Sequence, residues 1–72
     1  MKPIRHIRYE RDDAGYQINV YAPTEEFPMY QITCNDPDCG FSGTVFCYGM
    51  EDVDKTLCVI LKNADDWEEI AA

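Results

Sequence analysis

The segment YQINVYA, which begins at Tyr16, constrains the fold more than any other part of the sequence. Tyr16, Ile18 and Val20 alternate in it with polar residues. Because successive side chains of a β-strand point to opposite faces, this period of two predicts a strand with one buried face. The preceding segment IRHIRYER is separated from it by DDAG, whose Asp and Gly residues favour a turn. The two segments therefore predict a β-hairpin.

Two further strands are predicted downstream. PTEEFP is a connector, because each proline removes a backbone donor and restricts the residue before it. MYQITC then alternates again, with Tyr30, Ile32 and Cys34 on one face. After the loop-forming NDPDCGFSG, the segment TVFCY has the β-branched and aromatic content of a fourth strand.

A helix is predicted after Gly49. One helical stripe of about 100 degrees collects the apolar residues of this region, namely Met50, Val53, Leu57, Ile60, Leu61 and Ala64. Acids occupy the first turns and Lys62 lies near the end, as the helix dipole favours. A buried strand over residues 56–62 is the alternative, and the helix is preferred. The closing segment ADDWEEIAA is expected to form a short helical turn or a tail.

These patterns predict a single α+β domain over residues 1–72. We expect an antiparallel sheet of about four strands with one C-terminal helix packed on a face, which is how so short a chain covers an apolar sheet surface. The N-terminus lacks the apolar core of a signal peptide, and no apolar run is long enough to cross a bilayer. A cytoplasmic protein with no membrane partner is therefore expected, with cysteines that are reduced or bind metal.

The four cysteines raise the question of a metal site. Cys34 and Cys39 are separated by four residues, which is the wide end of the spacing found in zinc knuckles. Cys47 and Cys58 follow without forming a second closely spaced pair, and the lone His6 is far away in sequence. Zinc held by these cysteines is one reading. The other is that they act as small buried apolar residues, with no cofactor.

The stretch YQITCNDPDCGFSGTVF, residues 30–46, resembles the second half of the zinc finger in the Ogr/Delta family of phage transcription activators. The shared pattern is Tyr-Gln, then two cysteines four residues apart, then an aromatic residue. The family's earlier pair of cysteines has no counterpart here, because residues 1–33 contain none. The resemblance implies a small zinc-stabilised regulatory module of phage type as an alternative function.

Charge is the bulk property that bears most on function. The chain has a formal net charge of −8, although residues 1–11 carry +3 and the remainder −11. A surface this acidic repels nucleic acid and membrane anions and attracts basic protein surfaces. We therefore expect a larger host protein or complex with a basic surface as the partner. Direct nucleic-acid binding by Arg5, Arg8 and Arg11 is not favoured, since a strand places them on alternating faces.

No catalytic constellation is recognisable, and we expect the protein not to be an enzyme. A nucleophilic cysteine would need a nearby base, and His6 is the only histidine. The adjacent acid pairs do not converge on one substrate. In its size and acidity the chain resembles small phage-encoded inhibitors of host machinery, including anti-CRISPR proteins and nucleic-acid mimics. That resemblance implies a protein that binds and inhibits or redirects a nucleic-acid-handling complex.

The predicted contact surface comprises the exposed acids and two aromatic residues of the helix, the tail and the loop at residues 35–43. Carboxylates spread over such a face approximate a row of phosphates, and aromatic side chains concentrate interface energy. The predicted binding residues are Asp36, Asp38, Phe41, Glu51, Asp52, Asp65, Asp66, Trp67, Glu68 and Glu69.

Overall fold

The computed structural model describes residues 2–35 and 44–70. The elements follow the order β1 (Arg5–Arg11), β2 (Ala14–Tyr21), β3 (Tyr30–Cys34), β4 (Thr44–Cys47), α1 (Met50–Leu61) and β5 (Asp66–Ile70). The strands form one antiparallel sheet in the order β4-β3-β2-β1-β5. The predicted α+β class is confirmed, since the helix packs on one face of the sheet against β3 and β4.

The β1–β2 hairpin closes through a two-residue turn. Arg11 pairs with Ala14, so Asp12 and Asp13 are the two turn residues, with φ values of 52° and 64°. Two successive positive φ values are the mark of the turn that matches the twist of the flanking strands. Aspartate tolerates this left-handed region better than most residues, although glycine is favoured there. The predicted DDAG turn is thereby confirmed.

The core lies between one face of the sheet and the helix. Ile7 and Tyr9 of β1 lie opposite Ile18 and Tyr16 of β2, as the alternation predicts. The two tyrosine rings stack with centroids 5.0 Å apart. Val20, Ile32 and Cys47 extend the same buried surface, and Val53 and Leu57 of α1 cover it. This apolar burial is the main favourable contribution to folding.

The helix prediction is confirmed over Met50–Leu61, and the alternative strand at residues 56–62 does not form. Val53 and Leu57 are buried, and Ile60 and Leu61 pack beside them. Val59, on the opposite side of the helix, is 70% exposed. A single amphipathic stripe was therefore sufficient to orient the helix on the sheet.

The prediction of a helical turn or tail for ADDWEEIAA is wrong, because residues 66–70 form the edge strand β5. Trp67 pairs with Tyr9 and Glu69 pairs with Ile7. The sheet consequently has five strands instead of about four, and the helix is not the last element. All five residues of β5 are exposed. The strand is held by backbone hydrogen bonds to β1 and by ion pairs rather than by burial. Its sequence therefore shows no alternation of apolar residues that would predict a strand.

The chain crosses the sheet once, through α1, from the β4 edge to the β5 edge. We call the end of the sheet that carries the β1–β2 turn the hairpin end, and the end that carries residues 22–29, between β2 and β3, the connector end. The helix starts next to β4 at the connector end and leads to β5, which starts at the hairpin end. Within the described ranges no helix is long and apolar enough to span a membrane.

Candidate acidic binding surface

Arg5 holds β5 to both β1 and the helix. Its Nη2 and Nε atoms lie 2.7 and 3.2 Å from the two carboxylate oxygens of Glu69, and Nη1 lies 2.8 Å from Oδ1 of Asp54. Hydrogen bonding to Arg5, with some help from its charge, lowers the pKa of Glu69 below its ordinary value of 4.5. The same hydrogen bond raises the pKa of Arg5. A two-pronged contact of this kind fixes both side chains.

Arg8 makes a single ion pair with β5 on the other face of the sheet. Its Nη2 atom pairs with Oε1 of Glu68, the residue opposite it in the β1–β5 register. Arg5 and Arg8 therefore neutralise Glu69 and Glu68, two of the four tail acids predicted to contact a partner. The two ion pairs attach the edge strand to β1. The arginine charges also partly cancel the negative charge of these two carboxylates.

Five other carboxylates collect at the hairpin end. The Asp12 backbone N–H donates to Oδ2 of Asp65 at 3.0 Å, and the Asp65 N–H donates to the Glu10 carbonyl at 2.8 Å. Asp66 lies opposite Glu10 in the register, and Asp13 completes the turn. We call Glu10, Asp12, Asp13, Asp65 and Asp66 the hairpin-end carboxylates. None of them forms an ion pair with any residue in the described ranges.

The hairpin-end carboxylates spread over a surface instead of converging. Asp65 and Asp66 are adjacent in sequence, and all five residues are exposed. No group of three or more histidine, cysteine, aspartate or glutamate side chains among residues 2–35 and 44–70 is arranged to hold a metal ion. The arrangement thus displays negative charge outward over the hairpin end of the sheet.

The predicted acids of the helix lie elsewhere. Glu51 and Asp52 occupy the first turn of α1 at the connector end, and Glu51 pairs with Lys55 at 3.5 Å. After Asp52 the helix continues for nine residues to Leu61, about 14 Å at 1.5 Å per residue, before the chain reaches the start of β5 at the hairpin end. The structure therefore does not join them to Asp65 and Asp66 in one patch. Asp36, Asp38 and Phe41 fall outside the described residues.

Trp67 lies beside a groove between α1 and β5. Its side chain is on the helix side of the sheet, with Tyr9 as its register partner, and is 50% exposed. The groove has a volume of about 400 Å³ and is lined by both elements and by β1. Its lining residues are Arg5, Asp54, Leu57, Cys58, Leu61, Lys62 and Trp67. Trp67 is therefore the one predicted binding residue that lines an apolar recess in the described structure.

Sequence reasoning missed Glu10, Asp12 and Asp13 as site residues. The sequence predicts a turn at Asp12 and Asp13. No feature of the neighbouring sequence indicates that the C-terminal segment lies beside this turn. The signal required was the pairing of β5 with β1, which brings Asp65 and Asp66 to this turn. Acids contributed by both ends of the chain thus form a surface that neither segment predicts alone.

The structure separates the cysteines of the predicted zinc site. Cys34 ends β3, whereas Cys47 lies opposite Tyr30 at the start of that strand, about 13 Å away at 3.3 Å per residue. Two thiolates on one zinc ion must approach far more closely than this. Cys34 is disulfide-bonded, contrary to the expectation of reduced thiols, whereas Cys47 and Cys58 are free. Cys39 lies outside the described residues, and zinc binding stays a prediction.

The other predicted ligands are also apart. Cys47 is buried and its sulfur lies 3.8 Å from the Thr56 hydroxyl, whereas Cys58 is exposed at the groove. The ring of His6 is on the open face of the sheet, where Nε2 lies 3.2 Å from Oε1 of Gln17. His6 thus belongs to the polar surface of the hairpin.

No protein-family model matches the chain, and neither does any curated protein or solved structure. The charge and the geometry of the hairpin end are therefore the observations from which a function can be argued.

Proposed function

We propose that the protein binds, without catalysis, a basic surface on a larger nucleic-acid-handling protein or complex and inhibits or redirects it. The hairpin-end carboxylates are the contact, and they occupy positions that nucleic acid phosphates would otherwise take. The observation that carries the proposal is that five carboxylates meet at one end of the sheet without an ion pair among the described residues.

The physical basis is charge complementarity. A net charge of −8 on 72 residues raises the rate of encounter with a basic groove. Lysine and arginine clusters that bind phosphate bind it in a strongly salt-dependent way, because counterions are released. Carboxylates displayed in place of phosphates compete for the same cations, so the complex is expected to dissociate at moderate salt.

The division of the acids supports placing the contact at the hairpin end. Glu68 and Glu69 already have arginine partners, and displacing those partners would weaken the attachment of β5. Asp13 and Asp66 form no ion pair with another described residue. Their charge is available to a partner without loss of internal contacts, which is the condition for a surface that binds without unfolding.

A neutralised variant tests the proposal while keeping the shape of the surface. It carries Glu10→Gln, Asp12→Asn, Asp13→Asn and Asp66→Asn. Asparagine tolerates the positive φ values of the turn, and Asp65 is retained because it accepts the Asp12 N–H. The matched control carries Glu25→Gln, Glu26→Gln, Glu51→Gln and Asp52→Asn, which removes the same amount of charge elsewhere.

Each protein is immobilised and exposed to a nuclease-treated bacterial lysate, and bound proteins are eluted with rising salt. The proposal predicts that the unchanged protein and the control retain a nucleic-acid-binding complex that elutes at moderate salt and is displaced by added nucleic acid. The neutralised variant is expected to lose it. Equal retention by both variants, or a partner that nucleic acid does not displace, would contradict the proposal.

A further inference from the structure

We propose that β5 accepts a basic extended segment of the partner as an additional strand at the outer edge of the sheet. This inference rests on the proposed function, since it names the form in which a basic partner segment meets the β5 side of the hairpin end. β5 has β1 on one side, and no strand in the described ranges pairs with its other side. All five of its residues are exposed, so the edge is accessible.

The backbone register leaves the N–H and C=O groups of Trp67 and Glu69 on the outer edge. The Asp65 N–H donates to the Glu10 carbonyl, so the backbone of Glu10 is directed toward β5. Along an antiparallel ladder, successive residues direct these groups alternately toward and away from the neighbouring strand. Asp66, opposite Glu10, is therefore directed toward β1, whereas Trp67 and Glu69 are directed away from it. Such a row of unpaired groups is a template for another strand.

The charges on the open face of the sheet, the face without the helix, favour a basic strand. Asp66 lies directly opposite Glu10 on this face, and neither forms an ion pair with a described residue. Like charges directly opposite each other destabilise a pair of strands. A lysine or arginine beside Asp66 in an added strand would offset this repulsion. Glu68 and Glu69 would meanwhile keep their arginine partners.

The two faces of β5 differ, so the added strand is expected to alternate. Asp66 and Glu68 are on the open face, whereas Trp67 is on the helix side and is 50% exposed. Arg5 and Lys62 also lie on the helix side, which disfavours a partner cation there. An aromatic side chain pairs favourably with a β-branched residue across two strands. The expected segment therefore places cations on the open face and a β-branched apolar residue beside Trp67.

A second copy of the chain is disfavoured as the added strand. Two β5 strands that met at this edge would bring together three acids from each, on molecules of net charge −8. Charged side chains on an edge strand oppose such pairing, and like charges in an interface oppose association. The edge therefore discriminates against copies of itself and favours a strand of opposite charge.

Two matched peptides separate strand addition from attraction by charge alone. The probe is acetyl-Lys-Val-Lys-Val-Lys-amide. Its control carries N-methyl groups on the central residues, which removes backbone donors and keeps the charge. At low salt the probe is expected to bind about tenfold more tightly in calorimetry, since a few backbone hydrogen bonds are worth about that factor. The probe is also expected to slow amide exchange of Trp67 and Glu69, whereas the control is not.

Two substitutions of Glu69 test the outward N–H group on the protein itself. Glu69→Pro removes this donor and Glu69→Gln keeps it, while both remove the carboxylate that Arg5 binds. Proline is tolerated in an edge strand where its nitrogen faces outward. Glu69→Gln is expected to retain the advantage of the probe over its control, and Glu69→Pro is expected to lose most of it. The peptide comparison on the unchanged protein does not depend on the stability of either variant.

The outcomes distinguish the inference from the function on which it rests. Equal affinities of the two peptides for the unchanged protein, or an equal effect of the two Glu69 variants, would overturn strand addition and leave the charged contact standing. A dimer in sedimentation that Glu69→Pro dissociates would also overturn it, because a second copy would then occupy the edge. Failure of both peptides to bind at low salt would contradict the inference and the proposed function together.

Discussion

The two edges of the sheet are built in opposite ways. β4 has no charged residue, and its Cys47 is buried while Val45 packs against the core. β5 has three acids, and each of its five residues is exposed. The first edge is held by apolar burial under the helix, and the second by its ladder to β1 and by the arginines of that strand.

This difference explains why the proposed site is on the β5 side. A strand whose side chains are not required by the core is free to carry charge, and its acids also discourage pairing with the edge of another sheet. β4 has no such freedom, because a charge on its inward face would be buried. The acidic surface therefore develops at the edge where attachment is electrostatic and by backbone hydrogen bonds.

The largest expected effect comes from placing the same carboxylate on each edge. Cys47→Asp buries an unpaired charge in β4 and is expected to lower the free energy of unfolding by at least about 3 kcal/mol. Ile70→Asp puts it on exposed β5 and is expected to cost less than about 1 kcal/mol. Urea denaturation followed by circular dichroism measures both. Similar losses would show that the two edges are held in the same way.

The ion pair between Arg5 and Glu69 is expected to have a smaller effect, confined to β5. A double-mutant cycle with Arg5→Met and Glu69→Gln should give a coupling free energy of about 1 kcal/mol, because both side chains are partly solvated. Amide hydrogen exchange in the single variants should speed up in β5 and not in β4. No coupling, or faster exchange in both edges, would contradict the assignment of this pair to β5.

The same pair gives a pH dependence of defined sign. The pKa of Glu69 is lowered in the folded protein, so its contribution to stability is present above the ordinary carboxyl pKa of 4.5. The contribution is lost as the pH falls through the lowered value. The difference in stability between the unchanged protein and Glu69→Gln should therefore be constant from pH 7 to pH 5 and should close at lower pH. A difference that grows on acidification would contradict the pairing.

The smallest effect is expected in the turn that supports the hairpin-end carboxylates. Asp13→Gly should raise the free energy of unfolding by about 0.5 to 1 kcal/mol, because glycine adopts the positive φ without steric cost. Asp13→Ala removes the same charge but keeps the Cβ atom, and should not be stabilising. Thermal unfolding of the two variants measures the difference in stability that glycine gives at this positive φ, because both variants have lost the same charge. Equal gains from both variants would instead indicate relief of charge repulsion.

The sequence predicts the burial-driven part of the molecule. The alternation at Tyr16, Ile18 and Val20 and the helical stripe through Val53 and Leu57 both follow from periodic apolar residues that one core requires. The segment Asp66–Ile70 has no buried residue. Its sequence therefore shows no apolar alternation and predicts only a turn or a tail. Attachment by backbone hydrogen bonds and long-range ion pairs leaves no local pattern in the sequence.

The candidate site was only half predictable for the same reason. Asp65, Asp66 and Trp67 were identified by their charge and aromatic character, which is local information. Their neighbours Glu10 and Asp12 are more than fifty positions away in sequence and reach them only through the β1–β5 pairing. Glu68 and Glu69 were assigned to the contact surface, yet each lies against an arginine that only the register reveals.

The proposed function requires that the partner contacts the hairpin end on the β5 side. Hydrogen–deuterium exchange of the protein, free and bound to the complex recovered from the lysate, measures this directly on the unchanged chain. Binding is expected to slow exchange in segments that cover residues 10–16 and 62–70, with no change in residues 22–30 and 44–49 at the connector end and in β4. Slower exchange confined to the connector end and β4 would contradict it.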